Sequence, residues 1–176
     1  MSRGRGTVHV VVHAGAYFSS AGEQVDSDTL SMAVEDLKTF ISAAEGLVVI
    51  DGMLSDAIPR DVNRLIDAAL ARAETAGMPA IRAWGCDAGE APYPGWIGHG
   101  GYPVYGSQAE AADPIAYTLR GASRIVCSGA WATRDGSEGC VNDVADTLRA
   151  RLPHVDITVS PDALYVEDTC DAPEIP

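Results

Sequence analysis

Lysine is almost missing from this chain. Lys38 stands against eleven arginines, and 25 acidic residues outweigh the 12 basic ones to give a formal net charge of −13. Coating a nucleic-acid backbone needs clustered Lys and Arg, and only Arg3 and Arg5 approach a cluster, so no nucleic-acid partner is expected. No apolar run approaches the roughly 18 residues of a membrane span, and "MSRGRGTVHVVV" passes from a basic tip directly into a strand-like segment without a signal-peptide pattern. These features predict a soluble, cytoplasmic chain with no membrane partner. The cysteines, Cys86, Cys127, Cys140 and Cys170, form no CxxC pair, which argues against a zinc ribbon or a thioredoxin-type motif and predicts reduced thiols. A P-loop is lacking, as is a full GxGxxG with a downstream acidic partner, so no nucleotide cofactor is expected. No HxH or HExxH spacing occurs either. A metal would need the scattered set His13, Asp51, Asp87 and His99, and none is expected.

The 176 residues, 47% of them hydrophobic, suffice for one domain with its own core. "VHVVVHAGAYF" (8–18) reads as a first strand, and Leu30, Val34, Leu37 and Ile41 recur at helical spacing over about 28–44. "GLVVI" ending at Asp51 suits a parallel strand covered on both faces. A loop, "MLSDAIP", leads to a second helix over about 59–76, and "PAIRAWG" (79–85) reads as a third strand. "CDAGEAPYPGWIGHGGYPVYGSQAEAAD" is rich in glycine and proline and reads as a long irregular loop. A short helix ("PIAYTLRGA"), a fourth strand ("SRIVCSGAW"), a helix over 141–152 and a fifth strand ("VDITVSPDAL") follow. This β-α alternation predicts a three-layer α/β sandwich around a mostly parallel, about five-stranded sheet, Rossmann-like or flavodoxin-like. Residues 1–6 and 168–176, the latter in the acidic tail "YVEDTCDAPEIP", are expected to be flexible ends.

In such sheets ligands bind beyond the carboxyl ends of the strands. That rule nominates His13, Asp51, Cys86 with Asp87, and the "SGAWATRDGSEGC" loop that leads to Cys140. Cys140 follows a polar loop and opens a helical pattern, where partial positive charge and unpaired N–H groups favour a thiolate. An inert, buried cysteine is the other reading of that position. In the long loop His99 and the aromatics Trp96 and Tyr102 could wall a pocket, or else pack together or make a contact between copies in a homo-oligomer.

Two stretches resemble the isochorismatase-like cysteine hydrolases. They are "GLVVIDGMLSDAIP" with the "DVNRLIDAALARAETAGMPAIRA" that follows, and "SRIVCSGAWATRDGSEGCVNDVADTLRARLPHVDITVSPDAL". The resemblance covers about half of the chain and implies Cys140 as nucleophile, Asp51 as general base, and a small-molecule substrate that is an amide, imidate or vinyl ether. His13, Trp96, His99 and Tyr102 would then line the pocket. The chain departs from the family pattern in having no lysine between 52 and 139, between Asp51 and Cys140; Arg82 and Arg120 are cations in that interval, and neither stands in a matching motif. A non-catalytic α/β module binding a small ligand or a partner is the alternative. A third reading comes from "VHVVVHAGAYFSSAG", which looks like the first strand and loop of nucleoside 2-deoxyribosyltransferases.

Overall fold

The structure, a computed structural model, describes residues 5–19, 25–52, 54–86, 92, 96 and 101–165. Strand β1 (Arg5–Val12) ends where His13 enters the left-handed region at φ 50°, ψ 46°, and the expected continuation to residue 18 is a 3-10 turn instead (Ala14–Phe18). Helix α1 (Ser27–Ser42) starts at Asp26, whose carboxylate accepts the Thr29 N–H at 2.9 Å. Strand β2 (Gly46–Asp51) is buried throughout, as its unbroken apolar run requires. Helix α2 (Arg60–Thr75) and strand β3 (Ala80–Gly85) complete the first half.

The second half departs from the sequence reading in two places. Helix α3 (Gln108–Leu119) begins six residues before the expected Pro114, inside the segment read as irregular. Ser107 caps it by accepting the Glu110 N–H at 3.0 Å, while the Glu110 carboxylate accepts the Gly106 N–H at 3.0 Å. A two-residue strand β4 (Val104–Tyr105) precedes it. After β5 (Ala122–Ala132) and α4 (Cys140–Arg151), the expected last strand is split into β6 (Asp156–Val159) and β7 (Leu164–Tyr165). The break falls at Ser160, whose N–H donates to the Cys127 carbonyl at 2.7 Å and whose hydroxyl accepts the Asp162 N–H at 3.2 Å.

All strand pairings are parallel, in the order β4-β3-β2-β1-β5-β6, with β7 pairing the end of β5. The architecture is the three-layer α/β sandwich read from the sequence, with more strands than the expected five. Arg5, expected in the loose tip, already pairs with Ala122. Successive residues of a strand point to opposite faces. Val8, Val10, Val12, Val48 and Ile50 therefore pack with α3 and α4, while Val11, Leu47 and Val49 pack with α1 and α2. No helix among the described residues is long and apolar enough to cross a membrane.

Cys127 lies fully buried in the middle of β5, and burial pushes its thiol up to about 12. Because the folded pKa is raised, this contribution to stability is complete below the ordinary thiol value of 9.0 and is lost as pH rises from there toward about 12. Stability in urea is expected to decline across that window. Alkylation of Cys127 by iodoacetamide at pH 9, followed by mass spectrometry, is expected only at the rate of global unfolding.

Candidate functional site

The direction of strand order reverses at the β1–β5 pair, and ligands of open α/β sheets sit beside such a switch. A cavity of about 260 Å³ lies there, beyond the carboxyl ends of four strands. The β1 end contributes His13, Gly15 and Ala16, and the β2 end contributes Gly52, Leu54 and Ser55. Cys86 comes from β3, Ala130 and Trp131 from β5, and Cys140 from the first turn of α4.

His13 is held in a defined tautomer. Its Nε2 lies 2.7 Å from the Gly85 carbonyl oxygen, and a carbonyl only accepts, so Nε2 carries the proton. In the neutral ring Nδ1 is then the basic nitrogen. The left-handed backbone of a non-glycine residue at this spot is uncommon and persists where surroundings fix it. Here the His13 N–H donates to the Ile50 carbonyl at 2.8 Å, and the His13 carbonyl accepts from Ala16 at 3.1 Å. The ring lies against Gly52, where a Cβ would stand 2.7 Å from Cδ2 of the imidazole. Glycine after Asp51 is thus what admits the histidine. Behind the turn, the Tyr17 hydroxyl donates to the Gly129 carbonyl at 3.2 Å, tying the β1 end to β5, and burial raises the pKa of this phenol.

Cys140 is half-buried at the start of a 12-residue helix, and no disulfide engages it, Cys86 or Cys127. The loop before it is tied at both ends. Asn142 accepts the Thr133 N–H at 3.0 Å, and the Thr133 hydroxyl donates to the Glu138 carbonyl at 2.9 Å. Asp135 accepts the Ser137 N–H and hydroxyl at 2.9 and 2.7 Å, and these bonds hold its carboxyl below the usual range.

Asp51, expected as the base, does not line the cavity. It is fully buried, and its Oδ2 accepts from Arg82 Nε at 2.7 Å and from Trp96 Nε1 at 2.8 Å. Burial by itself would lower the Arg82 pKa, but the touching Asp51 carboxylate outweighs that and raises it. The guanidinium also donates to Asn63 at 2.9 Å and pairs with Asp67 at 3.4 Å, so it joins β2, β3 and α2. Trp96 and Tyr102 do not line the cavity either. Trp96 is buried edge-on against Trp84, with Tyr102 packed beside it and Cys86 in the same cluster. His99 and Asp87 lie outside the described residues. Among the described residues no group of three His, Cys, Asp or Glu could hold a metal.

Of the expected residues, His13 and Cys140 line this cavity, and Asp51, next to the lining residue Gly52, lies outside the lining in its ion pair with Arg82. Ser55 is a polar cavity residue that sequence reading missed, along with Gly52 and Leu54, because "MLSDAIP" offers only a loop composition; the Pro-ended turn beside a strand end was its sole signal. Searches of known protein families, of curated proteins and of solved structures return no match to this chain.

Proposed function

We propose that the protein is a small-molecule hydrolase of the isochorismatase-like kind, with Cys140 as nucleophile and His13 as its base, acting on a small amide, imidate or vinyl ether. The observation that carries this reading is the shared cavity wall: a cysteine in the first turn of α4 and a histidine whose tautomer is set by Gly85. His13 Nδ1 takes the thiol proton, and the sulfur attacks the carbonyl or imino carbon. The first N–H groups of α4 have no intrahelical acceptor and stabilise the charge that develops on the substrate oxygen or nitrogen. For an amide, the proton on His13 then passes to the nitrogen as the C–N bond breaks and the amine leaves, and water hydrolyses the thioester that remains; an imidate loses its alcohol in the same way and leaves a thioimidate for water.

A second reading, a ligand-binding module without turnover, draws on Asp51 being closed in an ion pair away from the cavity. Iodoacetamide labelling at pH 7, read at each cysteine by mass spectrometry, separates the two. The hydrolase is expected to label at Cys140 at least about tenfold faster than glutathione, an unperturbed thiol. A screen of small amides for ammonia release should then yield an activity that Cys140→Ala abolishes. Labelling no faster than glutathione would leave the module.

A further inference from the structure

We infer that the Ser55 hydroxyl is the polar anchor for the substrate in this cavity, and that the site takes an uncharged, short acyl compound; the inference rests on the hydrolase reading above. Ser55 is 3% exposed, lines the cavity, and its Oγ has no hydrogen-bond partner among the described residues. Its backbone groups are already used: the N–H donates to the Gly52 carbonyl at 3.0 Å and the carbonyl accepts from Ile58 at 3.3 Å. The hydroxyl is the group of this residue left over for a ligand, and buried polar groups ordinarily find a partner.

Its position is fixed relative to His13. A Cβ on Gly15 would stand 1.9 Å from the Leu54 carbonyl oxygen and 2.7 Å from the Ser55 nitrogen, so the turn carrying Ser55 presses directly on the backbone two residues beyond His13. Seen from Cys140, the anchor and the base arrive on interlocked turns. Ala16, Leu54, Ala130 and Trp131 also line the cavity, a mostly apolar surface that supplies no cation to an ionised acyl group. A neutral group with one acceptor or donor for Ser55 fits that wall.

Two alkylating probes of nearly equal size, iodoacetamide and iodoacetate, test this with the intact protein. In either reaction the Cys140 sulfur forms a C–S bond, iodide leaves with the C–I electron pair, and the thiol proton goes to His13. Rates at Cys140 are divided by the rates of glutathione with the same probe. The neutral probe is expected to be favoured by about tenfold or more, and Ser55→Ala is expected to slow iodoacetamide about fivefold. The variant should melt at or above the wild-type temperature, because it removes an unpartnered buried oxygen.

If wild-type Cys140 reacts with iodoacetamide no faster than glutathione, the hydrolase reading falls and takes the anchor with it. If Cys140 is fast but iodoacetate keeps pace, or Ser55→Ala reacts like wild type, the anchor alone is overturned. A lower melting temperature for Ser55→Ala would likewise overturn it, by showing that the hydroxyl holds the turn.

Discussion

Arg82→Met is expected to destabilise the protein by about 3–5 kcal/mol, because it leaves the Asp51 carboxylate as a buried charge without its cation. For a chain of this size that corresponds to a fall in melting temperature of roughly 6–20 °C. No solvent discount applies, since the two side chains are 3% and 0% exposed. The Trp96 N–H remains on Oδ2, but one neutral donor does not replace a guanidinium. Losing the Asp67 contact adds little, because that carboxylate is half in water. Urea melts of Arg82→Met, Asp51→Leu and the double variant check the account. The double variant should be less destabilised than the sum of the singles. A loss below about 1 kcal/mol in Arg82→Met, the size of an exposed pair, would mean that the carboxylate is satisfied by something other than Arg82.

His13→Asn is expected to have the largest effect on chemistry. Asparagine tolerates the left-handed backbone at this position but has no basic nitrogen, so the variant is expected to keep the fold and remove the proposed base. Turnover should fall about 10²- to 10⁴-fold, the usual contribution of a positioned general base, and Cys140 labelling should fall toward the glutathione rate. Asp51→Asn should lower stability yet leave the labelling rate of the folded protein as it is. The reverse pattern, with Asp51→Asn slowing Cys140 and His13→Asn leaving it unchanged, would return the role of base to Asp51.

Much of the architecture was legible because its signals are local. The apolar spacing of Leu37 and Ile41, or of Val62, Ile66, Ala69 and Leu70, marks helix faces within a residue or two of their observed bounds. β4 escaped notice because two residues cannot show a period, and β7 was merged with β6 for the same reason. α3 was placed late because Pro114 suggests a first turn, and the buried Ala111 and Ala112 before it make a weak apolar stripe. The site was half legible. Cys140 at a helix start can be read directly from glycine-rich loop and following periodicity. Its partner cannot, because His13 and Asp51 both end apolar parallel strands, and only the strand order decides which of them borders β5. Gly52 carries no signal of its own in the sequence and becomes intelligible only with the imidazole lying on it.

The strand order has one more consequence. β1, β2 and β3 bring His13 and Ser55, whereas β5 and α4 bring Cys140, and the two sets meet along the β1–β5 ladder from Arg5–Ala122 to Val12–Gly129. Neither half of the polypeptide owns a complete site. On the proposed hydrolase reading, reactivity belongs to the seam, and a fast thiol at residue 140 would also report that the two halves have docked in register.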